Sequence, residues 1–313
     1  RNVRMLAEDA LRSHTYTEGD ECALQYHLIR QDRCEPNTAQ AFGAGMDLLR
    51  CLLELQSGNR VMDLILQGKT DTYYFRSRLD GRILRLFFDL PASYDSKKRY
   101  PLLVNITTND YKASSSLKNY TGGDFIAANI SGRGVTLGSY VGEAALLECL
   151  ETIIALFPID SNRVHLFGFS GTATGAILLA QHYPHKIASL TATSGVPDKR
   201  VIRNLEGLTY CTISSELDEA KYAVYDRPLR VLGKNGGFHA YLAQKYCHQL
   251  IKALQFSRPL LDLAMQAEAD PFRRCFYYKT FHNHYLTAHW IDMVSIKRKK
   301  ACASIRCEAE PRA

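Results

Sequence analysis

The chain has 313 residues, 46% of them hydrophobic and 23% charged, so it can bury a sizeable core and is not a disordered segment. The net charge of +7 is scattered, with short clusters at Lys97–Arg99 and Lys297–Lys300 that read as solvated loop or strand-end charge, and no nucleic-acid motif accompanies them. No run of ~18 apolar residues occurs, so no membrane-spanning helix is expected.

Nine cysteines fall in no CxxC pair and no zinc-like spacing. Cys51, Cys149 and Cys211 sit in apolar segments and read as small buried hydrophobes, and no disulfide connectivity can be assigned from the spacing. The chain begins at Arg1, which fits a secreted or periplasmic protein whose signal peptide has been removed.

Residues 1–66 carry helical spacing. Met46, Leu48, Leu49, Leu52, Leu53 and Leu55 form an apolar stretch broken at Gly58-Asn59, which predicts a helical N-terminal extension. From residue 67 the texture changes. Thr72–Arg76 and Arg82–Phe88 are β-rich runs separated by Asp80-Gly81, the signature of a hairpin that would add an antiparallel edge. Leu102–Ile106 and Asp124–Ile130 read as buried strands. A helix is expected over Gly142–Phe157, a strand over Arg163–Phe169 and a helix over Thr172–Tyr183. Strands then follow at Ile187–Thr193 and Leu208–Ser214. A helical stretch near 219–235, a strand over Phe238–Ala243 and a helix after His248 complete residues 67–270. Strands alternating with helices imply an α/β domain with a mostly parallel sheet and helices on both faces. Residues 271–313 read as a small β appendage with strands at Arg274–Phe281, Tyr285–Ser295 and Ala301–Ala309.

Three sequons occur, at Asn105, Asn119 and Asn129. Asn105 and Asn129 fall inside expected strands, where a glycan would be buried, so only Asn119 is a conceivable acceptor.

The chemistry-bearing segment runs from Val164 to Gly175. A buried strand leads into Gly168-Phe169-Ser170-Gly171 and then into a helix, the context of a nucleophile elbow. Such a turn forces small neighbours, and Gly168 meets that need. Two residues after the serine a glycine is usual, but Thr172 stands there, larger and β-branched. The Gly171 N–H and the helix N-terminus would face a developing oxyanion. A serine needs a base, and the base an orienting carboxylate. Asp218 follows the strand at 208–214, and His248 comes 30 positions later, room for a helix and a strand. Glu216 or Asp226 are alternative acids, and His239 is an alternative base inside a strand. His282, His284 and His289 have no Asp, Glu or Cys partner at ligand spacing, so no metal site is assigned.

At this point the sequence resembles the bacterial α/β-hydrolases grouped with prolyl-oligopeptidase-like and polyhydroxybutyrate-depolymerase-like esterases, over about residues 60–310. The resemblance rests on Phe75–Gly81, Pro91–Asp95, Tyr100–Val104, Gly132-Arg-Gly134, Phe157–Val164 leading into the elbow, and Tyr183-Pro184. It continues through Asn204–Leu208, Glu216–Asp218, Leu232–His248 and the C-terminal Tyr285–Asp292. It implies an α/β-hydrolase fold, a Ser170–Asp218–His248 triad, an acyl-enzyme on an ester or peptide substrate, small or polymeric, and no cofactor. In that family His-Gly follows the first buried strand and supplies a second oxyanion donor. Here Thr107-Thr108 stand there, followed by Asn109, whose backbone N–H is the expected substitute. The two departures, at Thr107-Thr108 and Thr172, keep a second reading open: a weakened or inactive hydrolase-fold protein acting as a binding module.

Overall fold

A computed structural model describes residues 2–13, 15–107, 123–131, 133, 138–217, 237–247, 261–273, 275–281, 284–289, 291–293 and 302–308, with backbone alone for 214–217 and 237–247. The chain divides into two compact units, Arg1–Leu90 and Pro91–Ala313.

The first unit holds helices α1 (Asn2–Arg12), α2 (Glu18–Asp32), α3 (Ala39–Gln56) and α4 (Val61–Leu66), then strands β1 (Thr72–Arg76) and β2 (Ile83–Asp89). Helix α2 starts on a capping box, in which the Thr17 hydroxyl accepts from the Asp20 N–H and the Asp20 carboxylate from the Thr17 N–H. Asp20 is fully buried and also accepts from the Val61 N–H at 2.8 Å, joining the start of α2 to the start of α4. Helical spacing puts Ala44, Leu48, Leu52 and Leu55 on one side of α3, and they pack with Ala7, Leu24 and Leu28. The expected hairpin forms, with Arg76 opposite Ile83 and Gly81 at φ 71° in the turn.

The second unit runs β3 (Tyr100–Thr107), β4 (Ile126–Ser131), α5 (Tyr140–Leu156), β5 (Ile159–Phe169), α6 (Gly171–His182), β6 (Ser189–Thr193), a 3-10 segment Lys199–Leu205, β7 (Thr209–Leu217) and β8 (Gly237–Cys247). Four short strands close it: β9 (Cys275–Thr280), β10 (Thr287–Ala288), β11 (Ile291–Asp292) and β12 (Ala303–Glu308). The strands β3 to β8 lie in the order β4-β3-β5-β6-β7-β8, and every one of these pairings is parallel. From β3 the chain steps to β4 on one side; from β5 it steps to β6 on the other. The border between β3 and β5 is therefore the topological switch point, where open α/β sheets form a crevice beyond the strand carboxyl ends. Thr107 and Phe169 are the last residues of those two strands.

Phe167 and Gly168 face opposite sides of the sheet, and each side is covered. Phe167 packs with Leu103, Ala127, Leu261 and Met265. On the other side a Cβ at Gly168 would lie 2.6 Å from Thr172 O and 2.7 Å from both Ala173 N and Cα, so α6 touches the strand backbone. Gly195 meets the same Ala173 from β6's end, at 2.8 Å from its Cβ.

Several boundaries differ from the sequence reading. β5 starts at Ile159 rather than Arg163, with an irregular register against β3 between Tyr100 and Leu102. β7 continues to Leu217 and β8 to Cys247, because the two strands keep pairing past the apolar runs that marked them. The expected strand Tyr285–Ser295 is a tight two-residue pairing of β10 with β11, bent where His289 adopts φ 53°. β9 and β12 pair antiparallel as a separate ribbon. Asn105 and Asn129 are both buried, and the Asn105 amide donates to Asn129 Oδ1 at 2.7 Å. Asn119 and the expected helices near 219–235 and after His248 lie outside the described residues.

Candidate active site

Ser170 follows the last residue of β5 and caps the first turn of α6, so the strand-to-helix turn contains no other residue. Its backbone sits at φ 60°, ψ −127°, left of the vertical axis that L-residues normally respect and far from the small left-handed helical well. Such a conformation costs about 1–3 kcal/mol and persists only where its surroundings fix it. The fixing groups are visible. The Ser170 N–H donates to Thr193 O at 2.9 Å, and Ser170 O accepts from the Thr174 N–H at 3.1 Å, opening α6. Gly168 supplies the close approach that any side chain would block. Gly171 has open space around it, so its lack of a side chain is not forced by packing.

Thr172 does not distort the turn. Its hydroxyl accepts from the Phe169 N–H at 2.9 Å and donates to Phe169 O at 2.8 Å. The side chain that departs from the usual glycine is thereby absorbed into the turn, a role that residue type and spacing alone did not reveal.

The Gly171, Thr172 and Ala173 amides belong to the first turn of α6, whose N–H groups have no intrahelical acceptor and carry the positive end of the helix dipole. They lie at the switch-point edge of the sheet, beside Ser170. Thr107 closes β3 at the same edge, and its hydroxyl donates to Ile130 O at 3.1 Å. Because β5, β7 and β8 are parallel, their carboxyl ends share this edge. Leu217 and Cys247, the last residues of β7 and β8, are register partners. Asp218 and His248 are the next residues in sequence, and both lie outside the described residues, as do Asn109, Thr108 and the alternative acid Asp226. Glu216 falls within β7, and His239 falls within β8 opposite Thr212.

A second polar cluster lies at the other end of α6, about 18 Å of helix away at 1.5 Å per residue. The His182 Nδ1–H donates to Glu143 Oε2 at 2.7 Å, and the His182 ring stacks on Tyr285 with centroids 3.9 Å apart. Burial and the neighbouring Glu143 carboxylate push the Tyr285 phenol well up from its ordinary value. The Tyr278 hydroxyl, fully buried, donates to His182 O at 2.9 Å. A cavity of about 190 Å³ opens beside this cluster and is also lined by Tyr140, Asp198 and Arg200. Nothing in the sequence announced it, because its members come from α5, α6 and the C-terminal segment, far apart along the chain. Of the C-terminal histidines, His284 stacks on Tyr140 at 3.9 Å and His289 Nδ1 bonds Asp270 O at 3.1 Å, while His282 lies outside the described residues.

No family model matches the chain, and no curated protein is significantly similar to it in sequence. Solved structures do match it in shape. A thermostable esterase superposes with a TM-score of 0.52 at 12% identity, over 63% of this chain and 62% of that one. The S-formylglutathione hydrolase of Staphylococcus aureus gives 0.51 at 11% identity, over 62% of this chain and 95% of that one. The acylaminoacyl peptidase of Pyrococcus horikoshii gives 0.51 at 11%, over 66% of this chain and 43% of that one. The chain has the α/β-hydrolase fold. It spans less than two thirds of the esterase and of the peptidase, and identities this low speak to the fold alone. Among the described residues, no helix is long and apolar enough to cross a membrane.

Proposed function

We propose that the protein is a serine hydrolase that cleaves a carboxylic ester, or a peptide bond, through an acyl-enzyme. The observation that carries this reading is Ser170: a non-glycine residue at φ 60°, ψ −127° between β5 and α6, at the switch-point edge of the sheet. Strain of this kind clusters at functional sites. An ordinary strand-to-helix connection has no need of it. The esterases and the peptidase of the same fold support the reaction class.

In this reading Ser170 Oγ attacks the carbonyl carbon while His248 takes the hydroxyl proton, and Asp218 holds the imidazole in the productive tautomer. The tetrahedral oxyanion is met by the Gly171 N–H, with Asn109 supplying the second main-chain donor. Collapse breaks the bond to the leaving oxygen or nitrogen, which receives the proton from His248. Water then attacks the acyl-enzyme with the same base and frees the acid and Ser170. The supports for Asp218 and His248 are their order in the chain and their positions one residue beyond Leu217 and Cys247, which pair on adjacent parallel strands.

A weakened or non-catalytic binding module is the second reading. It draws on Thr107, which stands where the resembled esterases carry His and whose hydroxyl is committed to Ile130 O. Hydrolysis of p-nitrophenyl acetate and butyrate by the purified protein, beside Ser170→Ala, separates the two. The hydrolase reading expects turnover that the substitution abolishes. Equal release of nitrophenol by both proteins, or by neither, favours the binding module.

A further inference from the structure

We infer that Thr172 is a positioning residue for the nucleophile, its hydroxyl holding Ser170 in the strained turn; the inference rests on the reading of Ser170 as nucleophile. The argument starts from the edge of the sheet. Successive residues of a strand send their backbone groups to opposite neighbours. Ser170 sends its N–H toward β6, where Thr193 O accepts it. Phe169 therefore directs its N–H and C=O toward β3. The β3–β5 pairing stops at Asn105 and Phe167, however, one register step short of Phe169, whereas the β5–β6 pairing runs on to Phe169 and Thr193. Both backbone groups of Phe169 would be left without ladder partners. The Thr172 hydroxyl meets both, accepting from the N–H at 2.9 Å and donating to the C=O at 2.8 Å. A hydroxyl is the one small side-chain group that can donate and accept at once. Glycine or alanine there would leave the position empty.

The consequence is geometric. The peptide plane between Phe169 and Ser170 is held at its oxygen by Thr172 and at its nitrogen by Thr193. The next plane is held at Ser170 O by the Thr174 N–H. These two planes define φ and ψ of Ser170, so the direction of its Cβ–Oγ bond is fixed from three sides. A misplacement of about 1 Å at a reacting atom costs up to ~10²-fold in rate. Thr172 thus stands in place of the usual glycine as a clamp, and the departure noted in the sequence is a compensation at a point where one neighbouring strand has run out.

The test uses the second-order rate of fluorophosphonate labelling for the full chain, with Thr172→Val, Thr172→Ser and Thr172→Gly. Amide hydrogen exchange of the peptide spanning residues 167–171 is read in parallel. Valine keeps the volume and removes both bonds, so labelling should slow by about 10- to 100-fold with faster exchange across the turn. Serine restores the hydroxyl and should recover labelling to within about threefold, with protection regained. A glycine variant that labels faster than the parent makes Thr172 an obstruction and overturns the inference, as does a valine variant with unchanged labelling. If the parent labels no more than Ser170→Ala, the nucleophile reading fails and the positioning role with it. Exchange shows which part failed: protection lost in the valine variant and regained in the serine variant leaves Thr172 as a clamp of the turn without a nucleophile, whereas unchanged exchange refutes the clamp itself.

Discussion

If the Ser170 backbone is strained, removing its Cβ should stabilise the protein. At φ 60°, ψ −127° the side chain stands in a region that only glycine occupies freely. The stored cost is about 1–3 kcal/mol, and glycine returns roughly 0.5–1 kcal/mol of that through the greater freedom of its unfolded chain. Ser170→Gly is therefore expected to be about 1 kcal/mol more stable than Ser170→Ala, which lacks the same hydroxyl but keeps the Cβ. In a unit of this size that difference raises Tm by about 2–4 °C. On ordinary helical backbone the order is reversed: at Glu151, exposed in α5, glycine should fall about 1 kcal/mol below alanine. Urea midpoints and calorimetric Tm for the two pairs of variants give the answer. An alanine variant at position 170 equal to or above the glycine variant would show that the turn holds no strain, and the principal support for a nucleophile elbow would go with it.

Gly168→Ala places a methyl group 2.6–2.7 Å from backbone atoms of Thr172 and Ala173, which have no rotamer to escape into, so a loss of about 3 kcal/mol or more is expected in urea unfolding. Gly171→Ala, with open space around it, should cost less than about 0.5 kcal/mol by the same measurement. His165 is fully buried in β5 with Nδ1 on the Ser189 hydroxyl at 2.8 Å, and burial followed by the nearby Arg163 charge lowers its pKa from 6.5 to about 4. The unfolded chain binds this proton at a higher pH than the folded one, so stability is full above pH ~6.5 and falls by about 3 kcal/mol as the pH drops to ~4. Urea midpoints across that window should flatten in His165→Asn, whatever its absolute stability, and an unchanged slope would remove His165 from the acid sensitivity. Asn204 donates to Gln181 O and Lys279 O and accepts from the Lys279 N–H, at 2.8–2.9 Å. Asn204→Ala, which leaves those three groups without their partner, should lower stability by about 3 kcal/mol and expose β9 to limited proteolysis.

The sequence patterns that proved legible share one property: the local signal and the tertiary environment agree. Tyr100–Ile106 is apolar on both faces because helices cover both sides of a parallel sheet, and it is buried throughout. Asp80-Gly81 marked its hairpin because the turn demands φ above zero at Gly81. The strand ends were less legible. β7 and β8 outrun their apolar segments into Ser215–Leu217 and Gln244–Cys247, since a backbone ladder continues wherever a neighbour offers pairing, whatever the side chains. His289 broke an apparently continuous strand by a positive φ that a histidine adopts only under local constraint.

The same distinction governs the site. Gly168 was readable as a steric necessity, since a strand that turns sharply into a helix must let the two backbones touch, and the Cβ test at that position bears this out. Thr172 was misleading because its identity was weighed by size. In the turn its hydroxyl is what matters, and the need for a hydroxyl arises only because β3 stops pairing with β5 at Phe167. That need belongs to the register of two strands sixty residues apart in sequence and cannot be seen in the elbow segment by itself. Glu143, His182 and Tyr285 pose the same difficulty more strongly, being joined by packing at one end of α6 with no local spacing to connect them. A residue that departs from a familiar motif is therefore weak evidence of lost activity until its hydrogen bonds are known: Thr172, counted from sequence as a defect, occupies the one place where the turn lacked a partner.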